Sequence, residues 1–197
     1  MSEQYYTREP QSQSHPHDLD FTHAGHSLRF VTDSGVFSKS RLDPGTALLL
    51  SCLPEHFDSA LDLGCGWGAV GVALKAACPE AQVTMVDVNL RALELALHNL
   101  FLNQLTATVL ESDGFSALPG DARFDLIAFN PPIRAGKEVI YRLFAESAQH
   151  LTPGGALQVV IRKQQGAESA LRYLSTQYAA VDVATKKSGY WVLVCKK

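Results

Sequence analysis

The sequence has no long apolar run, although 46% of its 197 residues are hydrophobic. A helix that crosses a bilayer needs about 18 or more consecutive apolar residues, so no membrane span is predicted. The first ten residues are polar and mixed in charge, and they lack the apolar core of a secretory signal. We therefore expect a cytoplasmic protein without a signal peptide.

Cysteine is scarce, and its spacing argues against the usual cysteine-based sites. The four cysteines are Cys52, Cys65, Cys78 and Cys195, and no two form a C-x-x-C pair. Neither a zinc site nor a redox motif is indicated, and we expect reduced thiols in place of a disulfide framework. Four histidines crowd the N-terminal segment, but no predicted element fixes their spacing, so we expect no metal site.

An excess of positive charge is also missing. Lys and Arg number 17 against 20 Asp and Glu, which gives a formal net charge of −3. A generally basic nucleic-acid binder is therefore excluded, and binding to RNA would need a local basic patch. Length and composition are those of one globular domain with a substantial core.

Strand-like and helix-like segments alternate regularly from about residue 56 onward. Strands are predicted at 59–63, 83–87, 107–110, 124–129 and 156–161, with helices at 68–78, 89–103, 137–150 and 167–177. Residues 152–155 predict a turn, and a second turn is predicted at 186–189, between strands 181–184 and 190–195. No helix fits between those two strands, so they must be antiparallel. The predicted fold is α/β, with a mostly parallel seven-stranded sheet, an antiparallel last strand and helices on both faces.

The region before residue 56 differs in character. Residues 1–19 are polar and predict a flexible segment. Residues 20–55 predict a small appendage that consists of a β-hairpin and a helix. Asp43 is the expected N-cap of that helix, and Pro44 suits its first position. Residues 56–197 then form the main domain.

A glycine-rich loop organises the main domain. The first predicted strand runs into Gly64, Gly66 and Gly68, and a helical pattern follows. Glycines allow a sharp turn and close approach of a ligand, and a helix N-terminus offers unpaired N–H groups. This arrangement is typical of the first nucleotide-type site in a doubly wound sheet. A dinucleotide site would read G-x-G-x-x-G, whereas Ala69 follows Gly68 here.

Polar residues follow the other predicted strands at the same edge of the sheet, where ligands of open α/β sheets bind. Asp87 lies 19 residues after Gly68, and its carboxylate can accept both hydroxyls of a ribose. Asp113, which precedes Gly114, either accepts a hydrogen bond from an adenine amino group or only forms a turn.

Asn130-Pro131-Pro132 ends the fourth strand of the main domain. The prolines stiffen the loop, so the Asn130 amide oxygen and the Pro131 carbonyl oxygen form two acceptors at a fixed spacing. Two such acceptors suit an –NH2 group, which has two hydrogens to donate. Holding both hydrogens localises a nitrogen lone pair that is otherwise delocalised, and this favours attack by the nitrogen.

These motifs, in this order, resemble the class I S-adenosylmethionine-dependent methyltransferases, whose Rossmann-like fold also ends in a hairpin. Residues 34–38 (SGVFS), 42–45 (LDPG) and 130–137 (NPPIRAGK) resemble, more closely, the methyltransferase small group. That group includes the RsmC-like guanine-N2 methyltransferases of ribosomal RNA, and the likeness, over about residues 20–197, is to its short single-domain members.

The resemblance implies S-adenosylmethionine as cofactor and Asn130 with Pro131 as the catalytic grip on the target amino group. Cofactor contacts are implied for Asp62, Gly64, Cys65, Gly66, Gly68, Asp87, Val88, Asp113, Gly114 and Asn130. Contacts with the acceptor are implied for Phe37, Ser38, Pro132, Ile133, Arg134, Lys137, Arg162 and Lys163.

Two features bear on the acceptor. Ile133 stands where the family usually has an aromatic residue that stacks on the target base. Six basic residues are expected around the pocket and would form a local patch for RNA phosphates. They are Arg134, Lys137, Arg162, Lys163, Lys39 and Arg41.

The favoured acceptor is therefore a guanine amino group of small-subunit, 16S-type ribosomal RNA. A protein glutamine amide is an alternative, although glutamine methyltransferases have Tyr at the position of Ile133. An NAD-dependent oxidoreductase is disfavoured by Ala69 and gives Asn130 no role. A non-catalytic RNA-binding assembly factor would lack cofactor binding. The sequence leaves the oligomeric state open.

Overall fold

The computed structural model describes residues 8–38 and 41–197, and in them seven strands form one sheet and two form a separate hairpin. The hairpin strands are β1 (His17–His23) and β2 (His26–Thr32). The sheet strands are β3 (Ser59–Leu63), β4 (Gln82–Asp87), β5 (Thr108–Glu111), β6 (Phe124–Phe129), β7 (Leu151–Arg162), β8 (Ala180–Lys187) and β9 (Tyr190–Lys196). The helices are α1 (Pro44–Leu50), α2 (Ala69–Ala77), α3 (Leu90–Leu102), α4 (Lys137–Gln149) and α5 (Ala167–Gln177).

The sheet has the order β5-β4-β3-β6-β7-β9-β8. Strands β3 to β7 are parallel, whereas β9 lies antiparallel between β7 and β8. The predicted fold class, a mostly parallel seven-stranded sheet with an antiparallel last strand, is therefore confirmed. In these parts of the chain no helix is long and apolar enough to cross a membrane.

The sheet is covered on both faces because its central strands are apolar on both sides. Along β6, Leu126 and Ala128 pack in the cluster that contains α1, α2 and α3. Ile127 and Phe129 pack in the opposite cluster, with α4 and α5. This is the two-residue period of a strand buried on both faces. The carboxyl ends of the parallel strands are left uncovered, and the candidate site lies there.

Two predicted turns are wrong in extent. Residues 152–155 belong to β7, because a register shift between Phe124 and Leu126 lets Leu151 and Ala156 both pair with β6. The turn predicted at 186–189 is shorter, because Lys186 and Lys187 extend β8. Only Ser188 and Gly189 form it, with φ of 50° and 80°, as a two-residue hairpin turn requires.

The β1–β2 hairpin is fixed to α3 by two asparagines one helical turn apart. Asn99 accepts from the Val31 N–H at 2.7 Å and donates to the Val31 carbonyl at 3.0 Å. Asn103 makes the same pair of bonds with Arg29, at 3.0 and 2.7 Å. The free edge of β2 is thus paired with helix side chains, which satisfies backbone groups that an edge strand otherwise exposes.

Residues 8–16 lie against the start of α3 and against Asp33, which follows β2. The Arg8 carbonyl accepts from the Leu90 N–H at 3.0 Å, at the start of α3. Ser14 and the His15 N–H both donate to Asp33, at 2.7 and 2.5 Å. The division into a segment 1–19, an appendage 20–55 and a main domain 56–197 remains a prediction.

Candidate active site

Two of the three loop glycines border open space beyond the end of β3. Gly64 and Gly66 have φ of 67° and 54°, in the region that glycine tolerates best. A Cβ on Gly66 would meet nothing within 4 Å, and one on Gly64 would meet only the Phe129 ring at 3.8 Å. The Cys65 N–H donates to the Val86 carbonyl at 2.9 Å and ties the loop to β4. The loop is therefore a cradle that a ligand can approach closely.

Gly68 has a different role. A Cβ there would lie 2.8 Å from Met85 Cε and 3.2 Å from Ala96 Cβ, and one on Gly71 would lie 2.6 Å from Met85. Gly68 does not line the cavity that Gly64 and Gly66 border. It lets α2 pack closely against β4 and α3.

Two carboxylates lie beneath this loop and line the same cavity. Asp62 is buried, and its Oδ2 accepts from the Gly71 N–H at 2.7 Å. Asp87 accepts from the Gly66 N–H at 2.8 Å and from the Asn89 N–H at 2.9 Å. Burial raises the pKa of Asp62 to about 7, against the opposing Gly71 bond and with a smaller contribution from the charge of Asp87. Burial also raises the pKa of Asp87. Such a pair favours a cationic ligand.

Asn130, at the end of β6, is held by the start of α1. Its Nδ2 donates to Thr46 Oγ1 at 2.9 Å and lies 3.4 Å from Asp43 Oδ2. Asp43 is the N-cap of α1, and the same oxygen accepts from the Thr46 N–H at 2.9 Å. Because a carboxylate only accepts, the amide must present its nitrogen to α1. Neither Asn130 Oδ1 nor the Pro131 carbonyl accepts a hydrogen bond from the described residues, so both remain available to a ligand.

Asp43 and Thr46 are site residues that the sequence reasoning missed. Asp43 was assigned only the capping of α1, a role that it does have. The signal that could have revealed more was the family resemblance of residues 42–45, a segment far from the glycine loop in sequence.

Three neighbouring cavities meet at the Asn130-Pro131-Pro132 loop. The central cavity is bordered by the glycine loop, the two buried carboxylates and Asn130. A second shares Gly64 and Pro132 with it and extends over the ends of β4 and β5. A third shares Asn130 and Pro131 with it and opens over the ends of β6, β7 and the start of β9. An elongated ligand in the first two cavities would therefore meet a second molecule in the third.

Asp113, the residue predicted to contact adenine, lies in the second cavity with two other predicted cofactor contacts. Val88, Asp113 and Gly114 all line it. Asp113 Oδ1 accepts from Arg142 Nη2 at 2.7 Å, so this carboxylate already has a cationic partner. Arg8 also lines this cavity, and its Nε lies 2.5 Å from Glu111 Oε1. Sequence reasoning missed Arg8 and Arg142.

The predicted acceptor residues divide between the cavities and their rim. Phe37 and Ser38 line the central cavity with Pro132, and Phe37 also lines the third. The third cavity is further lined by Ile133, Arg134 and Arg162. Lys137 and Lys163 line none of the three: Lys137 Nζ lies 4.9 Å from the Tyr141 ring, and Lys163 pairs with Glu168 at 4.0 Å. Arg41 is exposed, and Lys39 lies outside the described residues.

Basic side chains gather at one end of the sheet's carboxyl edge. We call this group the basic edge; it consists of Arg134, Arg162, Lys163, Lys186 and Lys187. Arg162 lies 5.2 Å from the Tyr190 ring, and Lys186 lies 3.7 Å from the Trp191 ring. Lys186 and Lys187 were not among the predicted contacts, because they were expected in a turn.

No metal centre is formed in the parts of the chain that the structure describes. Residues 8–38 and 41–197 bring together no group of three or more His, Cys, Asp or Glu side chains that could hold a metal ion. All four cysteines are free, and burial raises the pKa of Cys65 well above its ordinary value.

Comparisons with known proteins agree with this geometry. The family model "Methyltransferase small domain" matches residues 27–194. "Uncharacterized protein YbxB" from Bacillus subtilis is 40% identical over 200 residues, which cover all of both chains. Ribosomal RNA small subunit methyltransferase C from Pasteurella multocida is 43% identical over 138 residues, which cover 68% of this chain and 42% of that one.

A solved structure of an RsmC protein also matches this chain. The Thermus thermophilus "16S rRNA N2 G1207 methyltransferase (RsmC) in complex with AdoMet and Guanosine" superposes with a TM-score of 0.84 at 29% identity. The match covers 94% of this chain and 51% of that one. The chain therefore spans about half the length of these RsmC relatives.

The charges and the shape of the central cavity fit S-adenosylmethionine. Its sulfonium and ammonium groups are cations, and the central cavity presents two carboxylates together with glycine backbone that no side chain obstructs. Together with the family match, this fit shows that the chain belongs to the methyltransferase small domain family, as an RsmC-like class I methyltransferase that uses S-adenosylmethionine.

Proposed function

We propose that the protein methylates the exocyclic N2 amino group of a guanine in small-subunit ribosomal RNA. One observation carries the proposal: the Asn130 amide nitrogen is bound by α1, so its oxygen and the Pro131 carbonyl are left as a pair of acceptors. The similarity to the Thermus thermophilus 16S rRNA N2 methyltransferase RsmC supports the class of acceptor.

The two acceptors would activate the amino group by holding both of its hydrogens. S-adenosylmethionine, when bound, supplies a methyl group on a sulfonium, which is a good leaving group. Guanine N2 is a poor nucleophile because its lone pair is shared with the ring. Bonds to Asn130 Oδ1 and to the Pro131 carbonyl would turn that lone pair out of conjugation and orient it. As the N–C bond forms, the S–C bond would break and the neutral thioether, adenosylhomocysteine, would leave. The nitrogen would release one proton to solvent, because the oxygens of Asn130 and Pro131 are too weakly basic to keep it.

The cofactor residues would act in two groups. Asp62, Gly64, Cys65 and Gly66 would surround the cationic end in the central cavity, and Asp87, which lines the same cavity, would accept the ribose hydroxyls. The adenine end would lie in the second cavity, by Val88, Asp113 and Gly114. Gly68 would contribute through the packing of α2 rather than through contact.

Product analysis tests this proposal. The protein would be incubated with labelled S-adenosylmethionine and one acceptor per reaction. The acceptors are naked 16S RNA, naked 23S RNA, small ribosomal subunits and release factors. We expect N2-methylguanosine in digested small-subunit RNA, detected by mass spectrometry. Methylglutamine in the release factors, or N6-methyladenosine as the only product, would contradict the proposed acceptor.

The basic edge should carry the salt dependence of RNA binding. Contacts with phosphates release counterions, so each lost contact should lower the slope of log affinity against log salt by about one. We expect Arg134→Glu with Lys163→Glu to weaken RNA binding at least about tenfold at low salt and to flatten that slope.

A matched variant controls for charge alone. Lys196 is exposed at the far end of β9, about 20 Å from Tyr190. Lys196→Glu with Lys197→Glu, two exposed positions whose reversal changes the net charge by the same −4, should leave both affinity and slope close to those of the wild type. Equal effects of the two variants would show that net charge matters and the basic edge does not.

A further inference from the structure

Asp43 lies where the central and third cavities meet, beside Asn130 and Pro131, the two proposed acceptors for the target amino group. We infer that Asp43 selects guanine, by accepting a hydrogen bond from the ring N1–H that adjoins the N2 amino group. The inference rests on the proposed function and adds to it a residue that discriminates between bases.

The Asp43 carboxylate can accept a hydrogen bond from a second donor. Its Oδ2 accepts from the Thr46 N–H at 2.9 Å and lies 3.4 Å from Asn130 Nδ2. Its Oδ1 accepts no hydrogen bond from the residues that the structure describes. A carboxylate oxygen that accepts no hydrogen bond from the described residues therefore lies beside the Asn130 amide, because the other oxygen of the same carboxylate is 3.4 Å from Asn130 Nδ2.

Guanine is the RNA base whose Watson–Crick edge offers one donor to each of these two acceptor residues. Its N1–H and its N2 amino group are neighbouring donors, which suit neighbouring acceptors on Asp43 and Asn130. In adenine and cytosine the ring nitrogen beside the amino group is an acceptor. That lone pair would face the carboxylate, and the repulsion would reject these bases.

The same reasoning disfavours a protein amide. A glutamine side chain brings one –NH2 group and no adjoining ring N–H. The carboxylate would lose water on binding and gain no donor, which is costly for a charged group.

The backbone around Asp43 holds the carboxylate in place. Pro44 occupies the first turn of α1 and fixes its own φ. Gly45 is enclosed: a Cβ there would lie 2.8 Å from both Asp43 Oδ2 and Tyr190 Cε1. The start of α1 is thus packed against β9, and the acceptor positions are set before any base arrives.

Nucleoside binding tests the inference, with guanosine and 2-aminopurine riboside as probes. The second probe keeps the amino group, but its neighbouring ring nitrogen is an acceptor. With adenosylhomocysteine present, we expect wild-type protein to bind guanosine about 10- to 100-fold more tightly, the range for a hydrogen bond to a charged group.

Asp43→Asn is the diagnostic variant, because asparagine caps a helix as well as aspartate does and its amide can donate to the ring nitrogen of 2-aminopurine. The preference for guanosine should fall to within about threefold or reverse. An unchanged preference, or no binding of guanosine to wild-type protein at millimolar concentration, would overturn the inference.

Thr46→Val serves as the matched control. It removes the hydroxyl that holds the Asn130 amide but leaves the Asp43 carboxylate and the Thr46 backbone N–H bond in place. We expect a lower kcat on ribosomal RNA with the wild-type preference between the two nucleosides. A preference lost to the same extent as in Asp43→Asn would assign selectivity to the amide and not to the carboxylate.

The two hypotheses fail in different ways. If wild-type protein forms no N2-methylguanosine on any ribosomal RNA, the proposed function fails, while nucleoside binding still reports on Asp43. If guanine is methylated and Asp43→Asn keeps full discrimination, only the inference about Asp43 fails.

Discussion

Replacing Asn130 with alanine should lower kcat for methyl transfer by about 10³-fold, while affinity for adenosylhomocysteine stays within about threefold of wild type. Alanine removes one of the two acceptors that would hold the amino hydrogens, so the nitrogen lone pair stays shared with the ring. The glycine loop and the buried carboxylates, which would bind most of the cofactor, are untouched. Single-turnover rates on ribosomal RNA and calorimetric titration of adenosylhomocysteine measure the two quantities separately.

Asn103→Ala is a suitable control for this substitution. It makes the same truncation in another hydrogen-bonded asparagine, whose partner is the Arg29 backbone in the hairpin contact, away from the cavities. Its transfer rate should stay within about twofold of wild type at a temperature well below unfolding. An Asn130→Ala protein that kept a tenth of the wild-type rate would refute the proposed role of the amide.

Asp62→Asn should stabilise the ligand-free protein at pH 8, and about a third as much at pH 5. The pKa of Asp62 is raised from its ordinary value of 3.8 to about 7. Between these values the folded state binds more protons than the unfolded state, so this group lowers stability as pH rises from about 4 to 7. Above pH 7 the full penalty applies, with a ceiling of about 4 kcal/mol. We expect asparagine, which can still accept from Gly71, to recover about 1–3 kcal/mol at pH 8.

The same substitution should weaken cofactor binding about 10- to 100-fold at pH 8, because a carboxylate that faces a cation is lost. The wild-type affinity for S-adenosylmethionine should itself rise as pH increases through about 7, since the ionised form of Asp62 binds the cation. Urea unfolding and calorimetric titration at pH 5 and pH 8 test both statements. An affinity that does not depend on pH between 5 and 8 would contradict this role for Asp62.

Asp125 provides a control of opposite sign. Burial raises its pKa, but hydrogen bonds from Thr152 and Ser59 outweigh burial, and the net pKa is lowered. Its ionised form therefore stabilises the folded state, and this stability is present above pH 4 and lost as pH falls through the lowered pKa. Asp125→Asn should destabilise the protein at pH 8, where Asp62→Asn stabilises it.

The main domain could be predicted from sequence because its signals are local. Buried parallel strands are short apolar runs, and punctuating residues mark their ends. Asn89, for example, caps α3 as expected, and its side chain accepts from the Ala92 N–H at 3.1 Å. Pro153 and Gly154 misled the prediction because the same residues that form turns also occur in bulges, and only pairing with β6 decides between the two.

The parts of the site that sequence missed depend on contacts between distant residues. Asp43 and Asn130 are 87 positions apart, and Arg8 and Glu111 are 103 apart. Each has a sufficient local explanation, as a cap or as a polar surface residue, so no pattern in the chain indicates the partner. The three cavities could not be predicted for the same reason, since each is bordered by loops that follow several different strands.

The basic edge also has a consequence for how the molecule meets a polyanion. Its five side chains carry five positive charges in a protein of formal net charge −3, so the remainder carries −8. A basic edge on a protein of net negative charge would favour orientations in which the third cavity faces an approaching polyanion before any contact forms. Productive encounters then become more frequent than random tumbling allows, and ionic strength alone can slow them.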